Sequence, residues 1–181
     1  MHIAVGVTGA SGAPLAVRLL EALSDHEVSL VVSADGEQLL ALEAPNAALP
    51  ATRRHAPNDF TAPIASSSSA PDAMIICPCS MRTLAALAHG LSDNLITRCA
   101  ENVMRLRRPL VLVPRETPLS LQALDNMRAL ASAGAFIVPP MVTYYFEPRT
   151  LSDLDDFCVG KVLDCLRLEH RLYRRWGEEQ P

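Results

Sequence analysis

A stretch of small residues near the start of the chain constrains its fold more than any other feature. Residues 6–12 read G-V-T-G-A-S-G; they follow the apolar residues 2–5 and precede a helical pattern that begins at Pro14. A strand, a tight turn and a helix N-terminus together form an anion site, because the first helical amides and the Ser11 hydroxyl can donate hydrogen bonds to phosphate oxygens. We expect a phosphorylated ligand here, and the alternative is a tight turn that binds nothing.

Strand-like and helix-like segments alternate along the rest of the chain. The predicted strands are residues 2–5, 28–32, 73–77, 109–113 and 134–138, and the predicted helices are residues 14–25, 36–43, 83–88, 94–106 and 119–133. Pro78 is expected to stop the third strand, Ser80 to cap the next helix, and residues 44–71 to be irregular. This alternation predicts an α/β fold, a single-domain doubly wound parallel sheet, with a helical C-terminal tail over residues 150–181.

Length and composition limit the classes of protein that this chain can belong to. Its 181 residues, 49% of them hydrophobic and 20% charged, suit one well-buried globular core. The net charge of -4 argues against nonspecific nucleic-acid binding. No apolar run approaches the roughly 20 residues of a membrane span, and no basic region marks a signal peptide. We therefore expect a cytoplasmic protein with no nucleic-acid or membrane partner.

The cysteines show no pattern of a disulfide framework. There are five of them, an odd number, so we expect reduced thiols in or near the core: Cys77, Cys79, Cys99, Cys158 and Cys165. The C-P-C segment lacks the spacing of a zinc knuckle and no second pair follows it, so no metal site is predicted. Cys79 is a candidate nucleophile, but no histidine is recognisably paired with it, which disfavours covalent catalysis.

Ligands of parallel sheets bind beyond the carboxyl ends of the strands. The unusual segments of this sequence are all predicted to lie there: residues 9–12, Ser33, residues 78–80 and residues 115–116. The glycines are spaced G-x-x-G-x-x-G rather than G-x-G-x-x-G, and the second strand ends in Ser33 rather than in the acidic residue of a dinucleotide site. A P-loop is excluded because the only lysine is Lys161. The pattern favours a mononucleotide such as FMN over NAD or ATP.

Four segments, in this order and spacing, resemble the UbiX family of flavin prenyltransferases. They are G-A-S-G at residues 9–12, C-P-C-S at 77–80, R-R-P-L-V-L at 107–112 and P-R-E-T-P at 114–118. The similarity continues through Tyr144, Tyr145, Pro148 and Lys161 to R-W-G-E at residues 175–178, so it covers nearly the whole chain. The P-R-E-T-P segment after R-R-P-L-V-L is highly specific, whereas G-A-S-G alone is a weak signal.

The resemblance implies a flavodoxin-like (Rossmann-like) fold, one flavin-binding domain over residues 1–181, and assembly into a homo-oligomer, a dodecamer. It implies transfer of a dimethylallyl group from dimethylallyl phosphate to reduced FMN, with a first bond to flavin N5 as phosphate leaves and ring closure onto C6. The product, prenylated FMN, is passed to UbiD-type decarboxylases. No metal is implied, because cationic side chains stabilise the leaving phosphate.

The resemblance also assigns residues that contact the flavin. They are Gly9, Ala10, Ser11, Ser33, Ser80, Met81, Arg82, Thr83 and Arg115. Small or hydroxylated residues suit most of these positions, because the FMN phosphate needs short donors and close backbone approach. Arg82 is the exception, and we expect its side chain in solvent with only its backbone near the ligand.

Prenyl phosphate binding and catalysis are assigned in the same way. The phosphate positions fall on Arg105, Arg115, Tyr145 and Lys161, with Arg98 as a supporting cation, while Ser11, Glu43 and Glu116 fall on positions of proton handling, with Arg115 also catalytic. Each arginine has the alternative of a solvated helix face, which is about as plausible for Arg105 as binding is. Trp176 is either a surface residue on the last helix or part of a tail that covers a neighbouring subunit's site.

The chain departs from the family pattern at two positions. It has Arg105 where the family commonly has lysine, and Lys161 where the family commonly has arginine. Both positions keep a positive charge, but a planar guanidinium and a compact ammonium group bind phosphate with different geometry. Two other functions stay open: a flavin-dependent decarboxylase of the cysteine-oxidising type, and a noncatalytic FMN carrier of the same fold. The residues also leave open whether the donor is a mono- or diphosphate, and which decarboxylase and pathway receive the product.

Overall fold

The computed structural model describes residues 1–177 of the chain. In this part the strands are β1 His2–Val7, β2 Glu27–Val32, β3 Arg53–His55, β4 Ala73–Cys79, β5 Leu110–Pro114 and β6 Phe136–Ile137. The α-helices are α1 Ala13–Ala22, α2 Ala34–Glu43, α3 Met81–Ala88, α4 Leu95–Arg105, α5 Leu121–Ser132 and α6 Leu151–Cys165. Two short 3-10 turns, Pro63–Ala65 and Ser67–Ser69, lie between β3 and β4.

The strands form one sheet in the order β3-β2-β1-β4-β5-β6, and every neighbouring pair is parallel. The chain winds outward from β1 to β3, returns to β4 on the other side of β1, and winds outward again to β6. The predicted doubly wound parallel α/β fold is therefore confirmed. The order reverses between β1 and β4, and this switch point is where open parallel sheets form their ligand crevice.

Both faces of the sheet are covered, which explains why its central strands are apolar without interruption. Along β4, Ile75 packs in one core layer with Leu19 of α1 and Val159 of α6. Its neighbour Ile76 points to the other layer, with Leu84 of α3 and other buried residues. Neither isoleucine is exposed to solvent. This two-sided packing fixes the strand ends from which the loops of the carboxyl edge extend.

Helix α6 is fixed by capping and by an ion pair. The Thr150 side chain accepts a hydrogen bond from the Asp153 amide, and Asp153 in turn accepts from the Thr150 amide, which is a capping box. Further along the helix, Arg18 of α1 donates from Nε to Asp156 at 2.5 Å. These contacts hold α6 against α1, so the segment after α6 starts from a fixed position.

Three local predictions were wrong. Residues 44–71 contain β3, an exposed three-residue edge strand without an apolar pattern, held by its pairing with β2. Strand β4 does not stop at Pro78 but continues to Cys79, because its pairing with β5 shifts register between Ile76 and Cys79. The tail is helical only as far as Cys165; residues 166–177 form turns and irregular chain, and residues 178–181 of the predicted tail lie outside the described residues.

Candidate functional site

The loop between β1 and α1 follows a path that requires glycine at two positions. Gly12 has a φ of +122°, a left-handed conformation that residues with a Cβ rarely adopt. At Gly9 a Cβ would lie 2.4 Å from the Cβ of Asp35, the second residue of α2, so a side chain is excluded by close packing. The two glycines therefore shape the loop and bring it against the start of α2.

The start of α1 binds a carboxylate of the protein itself. Glu43 accepts hydrogen bonds at Oε2 from the amides of Gly12, at 2.8 Å, and Ala13, at 2.9 Å. The expectation that these first helical amides donate to a phosphate does not hold in this structure, because Glu43 occupies them. Among the described residues, the amides of Gly9 and Ser11 have no acceptor. The donors that this loop offers a ligand are therefore the amides just before the helix.

Glu43 is held in its ionised form by its surroundings. Partial burial acts to raise the pKa of this carboxyl, but hydrogen bonds from the Gly12 amide, the Ser11 side chain and the Ala13 amide outweigh burial, and the Arg115 guanidinium acts in the same direction. The pKa of Glu43 therefore lies below its ordinary value. Arg115 also donates from Nε to the carbonyl oxygen of Ser11 at 3.2 Å. The structure thus brings together Ser11, Glu43 and Arg115, three of the four predicted catalytic residues.

Helix α2 spans the carboxyl edge of the sheet between two site residues. Ser33 caps its start by accepting a hydrogen bond from the Gly36 amide at 3.1 Å, and the Ser33 amide donates to the carbonyl oxygen of Val7 at 2.9 Å. The helix ends at Glu43, which returns to the β1–α1 loop. Both ends of α2 therefore contact the edge where β1 and β2 end.

The loop between β4 and α3 supplies a second set of donors at the same edge. The Ser80 side chain accepts from the Thr83 amide at 3.3 Å and caps α3, and the Ser80 hydroxyl also donates to the Thr83 hydroxyl at 3.1 Å. The amides of Met81 and Arg82 have no acceptor within their own helix, because they belong to its first turn. The Arg82 side chain is exposed and bonds to Asp93 at 2.6 Å, so only its backbone faces the site.

Glu116, the fourth predicted catalytic residue, lies exposed beyond β5. Its carboxylate accepts a hydrogen bond from the Thr117 amide at 2.9 Å. It borders two open hollows, one of about 370 Å³ that it shares with Met81, and one of about 470 Å³ that it shares with Arg115 and Met141. Glu116 is therefore at the carboxyl edge but makes no contact with Glu43.

Three predicted substrate-binding residues meet in a cluster formed by α6, the tail after it and the segment just before it. The aromatic rings of this tail cluster are Tyr145, Phe146, Phe157, Tyr173 and Trp176, with neighbouring ring centroids 4.9–6.1 Å apart. Trp176 lies 5.2 Å from Tyr145 and is 81% exposed, beyond the last helix rather than on it. Lys161 Nζ lies 5.3 Å from the centroid of the Tyr173 ring. The tail cluster therefore combines aromatic surface with a cation.

The carboxylate of Asp164 holds the tail cluster together. Its Oδ2 accepts from Tyr173 at 2.5 Å and from Lys161 at 3.3 Å, and its Oδ1 accepts from His170 at 3.1 Å and from Arg175 at 2.8 Å. Partial burial acts to raise the pKa of Asp164, but the hydrogen bonds from Tyr173, Arg175, His170 and Lys161 outweigh it and hold the pKa far below its ordinary value. One ionised side chain thus fixes Lys161 and the tail.

The two predicted arginines of α4 lie elsewhere. Arg98 donates from Nε to the carbonyl oxygen of Ala65 at 3.2 Å, and both Arg98 and Arg105 pair with Glu101. Arg105 borders a hollow of about 640 Å³ together with Pro109, which precedes β5, so it lies at the amino edge of the sheet. Among the described residues, no hydrogen bond or ring contact of Tyr145, Lys161, Arg98 or Arg105 reaches Arg115.

The cysteines are free thiols, as predicted. Burial raises the pKa of Cys77, and it raises the pKa of Cys79 to about 12. Neither side chain is accessible, so Cys79 is not a nucleophile in this structure. The described residues contain no group of three or more His, Cys, Asp or Glu side chains that could hold a metal ion, and none of their helices is long and apolar enough to cross a membrane.

Comparison with known proteins connects this site to a family. The flavoprotein family model matches residues 1–168. Flavin prenyltransferase UbiX of Methanocaldococcus jannaschii is 40% identical over 182 residues, with 98% of this chain and 99% of the relative covered. The chain belongs to the UbiX family of flavin prenyltransferases. The family predicted from the sequence motifs is thus confirmed.

Two solved UbiX structures share the fold over almost the whole chain. A dodecameric FMN-dependent UbiX-like decarboxylase of Escherichia coli O157:H7 has a TM-score of 0.95 at 45% identity, and covers 98% of this chain and 100% of its own. A UbiX protein solved in complex with FMN and dimethylallyl pyrophosphate has a TM-score of 0.94 at 40% identity. The match covers 99% of this chain and 98% of that protein's chain. The predicted flavodoxin-like architecture of this UbiX-family chain is therefore confirmed.

Sequence reasoning missed two residues of this UbiX-family site. Asp164 stands three positions after Lys161 on α6, and this spacing was the available signal that the two side chains share a helix face. Thr8 stands inside the glycine motif but was given no role, although a hydroxyl after a buried strand is available for bonds across the sheet. Its contacts are described below.

We expect Asp164→Asn to lower the free energy of unfolding at pH 7 by about 1–3 kcal/mol, because an amide is a weaker acceptor for four donors than a carboxylate. The lowered pKa of Asp164 gives the wild type stability that is fully present above the unfolded pKa of about 3.9 and is lost as the pH falls through the folded value. The difference between variant and wild type should therefore shrink below about pH 4.

Chemical unfolding of both proteins between pH 7 and pH 3 measures this difference. Asp125→Asn is the matched control, because Asp125 is 59% exposed and, in the part of the chain that the structure describes, pairs only with Arg128, at 3.6 Å. The control should stay close to the wild type at every pH. A difference for Asp164→Asn that is the same at pH 7 and pH 3 would contradict the assignment of the low pKa to Asp164.

Proposed function

We propose that this chain is a flavin prenyltransferase that joins the dimethylallyl group of dimethylallyl phosphate to N5 and C6 of reduced FMN. The prenylated FMN formed would serve UbiD-type decarboxylases. The observation that carries the proposal is the meeting of Ser11, Glu43 and Arg115 at the carboxyl edge, in a chain that belongs to the UbiX family. The relative solved with FMN and dimethylallyl pyrophosphate supports FMN as one ligand and a phosphorylated dimethylallyl donor as the other.

The residues at the carboxyl edge suit the phosphate of FMN. The amides of Gly9 and Ser11 on one loop, and those of Met81 and Arg82 on the other, are short donors at the switch point of the sheet. A helix N-terminus adds partial positive charge, which α3 supplies. FMN therefore has a phosphate cradle that Glu43 does not occupy.

Charge and proton transfer can be assigned to the chain's own residues. Reduced FMN, when bound, supplies the nucleophilic N5 and C6, and the prenyl carbon–oxygen bond breaks as the phosphate leaves. Arg115 is positioned to stabilise that phosphate by its positive charge. Glu43 is ionised at neutral pH and bonded to Ser11, so this pair can accept a proton, and Glu116 on the neighbouring loop is the second candidate acceptor.

We propose that a complete site needs more than one copy of the chain. Arg105 lies at the amino edge of the sheet, opposite Ser11 and Arg115, so it can reach such a site only on a neighbouring copy. Exposed apolar side chains around the site, Leu119, Leu121, Leu124, Met141 and Val142, suit burial between copies. The dodecameric relative of Escherichia coli supports a dodecamer for this chain.

Two broader expectations are retained as proposals. We propose that residues 1–181 act as one flavin-binding domain, which the single sheet of the described residues supports. A cytoplasmic location is supported by the five free thiols, since a reducing compartment keeps such thiols unpaired. The cysteine-oxidising decarboxylase is disfavoured, because enzymes of that type need a catalytic histidine on the first helix and α1 carries none.

Anaerobic incubation of the protein with reduced FMN and dimethylallyl monophosphate tests the function. We expect mass spectrometry to find a flavin heavier by one five-carbon unit, with release of inorganic phosphate. The same incubation with dimethylallyl diphosphate separates the two donors. Unmodified FMN that copurifies with the protein under both conditions would contradict the enzyme and favour a noncatalytic carrier.

Glu116→Gln should bind FMN normally and slow adduct formation by about a hundredfold or more, because it removes a proton acceptor and keeps the shape of the side chain. Single-turnover kinetics at saturating FMN measures the effect. Glu21→Gln on α1 is the matched control, since within residues 1–177 the side chain of Glu21 bonds only to Arg18, and the variant should not change the rate. An unchanged rate in Glu116→Gln would remove Glu116 from the mechanism.

Lys161→Ala should raise the KM for the prenyl phosphate about tenfold or more, because a cation that bonds an anion is lost, and should leave the Kd for FMN nearly unchanged. Lys161→Arg keeps the charge and should retain most of the affinity. Arg128→Ala, which removes a cation that is 75% exposed, is the control for net charge. Equal losses of affinity for both ligands in Lys161→Ala would mean that Lys161 supports the fold instead.

A further inference from the structure

Thr8 lies between β1 and Gly9 and is almost completely buried, with 2% of its surface exposed. Its hydroxyl donates to the carbonyl oxygen of Pro78 at 2.8 Å and accepts from the amide of Ser80 at 2.8 Å. The Thr8 amide also donates to the Pro78 oxygen, at 3.2 Å. The hydroxyl thus acts as donor and acceptor at once, and joins the ends of two neighbouring strands.

These bonds stand where the backbone ladder between the two strands cannot continue. Strands β1 and β4 pair from Ile3 with Ala73 to Gly6 with Ile76, and no pairing follows. Pro78 has no amide hydrogen to donate, so regular pairing past this point would lack a donor. Beyond the last regular pair, the two strands are joined by the Thr8 amide bond to Pro78 and by the two bonds of the Thr8 hydroxyl.

The groups that Thr8 joins belong to the two phosphate-binding loops. Ser80 caps α3, so fixing its amide fixes the start of that helix and the free amides of Met81 and Arg82. Thr8 itself is followed directly by Gly9, the first residue of the other loop. One buried hydroxyl therefore sets the spacing between the donors on one loop and the donors on the other.

We propose that Thr8 is a positioning residue for the bound flavin: its hydroxyl holds the β1–α1 loop and the start of α3 at the separation that FMN requires. Thr8 does not contact the flavin and acts through Ser80 and Gly9. The proposal rests on the proposed function for the identity of the ligand. Loss of the hydroxyl leaves the partly buried Ser80 amide without its partner and leaves the Thr8 amide bond to Pro78 as the remaining bond between the two loops.

Two pairs of variants isolate the hydroxyl. In the first pair, wild type and Thr8→Val, the side chains have nearly the same shape and only the first has the hydroxyl. In the second pair, Thr8→Ser and Thr8→Ala, both side chains lack the threonine methyl group and only serine has the hydroxyl. In each pair, we expect the protein without the hydroxyl to have a Kd for FMN about tenfold or more above that of the protein with it, as measured by quenching of flavin fluorescence. Thr8→Ser should bind FMN close to the wild type. If Thr8→Val does not fold, the pair of Thr8→Ser and Thr8→Ala carries the test.

Thr97→Val is the matched control for the loss of a buried hydroxyl. Thr97 is fully buried, and its hydroxyl donates to the Asn94 carbonyl oxygen at 3.1 Å and accepts from the Asn94 amide at 3.3 Å. We expect this variant to unfold at a lower temperature and to bind FMN with the wild-type Kd. For Thr8→Val we expect the KM for prenyl phosphate at saturating FMN to be unchanged, because only flavin binding depends on the loop spacing.

The outcomes separate this inference from the proposed function. If the wild type binds FMN and Thr8→Val binds it equally well, or if Thr97→Val weakens FMN binding as much as Thr8→Val does, the positioning role of Thr8 is wrong and the proposed function stands. If the wild type does not bind FMN, the proposed function fails and the inference fails with it.

Discussion

The bonds from the amides of Gly12 and Ala13 to the Glu43 carboxylate connect most of the site. A helix N-terminus carries partial positive charge and unpaired amides, so a carboxylate placed there is stabilised and stays ionised. Because Glu43 ends α2, this contact holds the second helix against the loop before the first, and Arg115 joins the same loop through the carbonyl oxygen of Ser11. Three segments distant in sequence thus keep the loop in shape by contacts within the protein. The amides that this loop can still offer to a ligand are those of Gly9 and Ser11, just before α1.

Much of the fold could be predicted because burial on both faces requires apolar strands without interruption, as in β1, β2, β4 and β5. Strand β3 could not, since its residues are exposed and its strand conformation comes from the partner strand. The sequence also did not predict that β4 continues past Pro78. A proline usually ends a strand because it lacks an amide donor, but here Cys79 pairs with Pro114 of β5 after a shift in register, and this pairing depends on a strand that lies far along the chain.

The site residues, too, could be predicted from the sequence only in part. Residues that follow strands, such as Ser33, Ser80 and Arg115, could be placed at one edge from the sequence, because parallel strands end together. The partners of these residues could not, since the bonds of Glu43 and Thr8 depend on how α2 and β4 lie in three dimensions. The resemblance named Tyr145, Lys161 and Trp176 without their common anchor. That anchor, Asp164, shares a helix face with Lys161, but its bond to Tyr173 depends on the turn that brings Tyr173 back to α6.

Lys161, at a position where the resemblance leads us to expect an arginine, fits the local structure. Lys161 Nζ lies 3.3 Å from Oδ2 of Asp164 and 3.1 Å from the Tyr173 hydroxyl, a position that a compact ammonium group with three donors can take. Oδ1 of Asp164 is already bonded to Arg175 and His170, so a second planar guanidinium could not bind this carboxylate through both oxygens. The tail therefore supplies the guanidinium, through Arg175, that α6 lacks. The positive charge of the tail cluster thus comes from Lys161 on α6 and from Arg175 in the tail, and the carboxylate of Asp164 positions both cations.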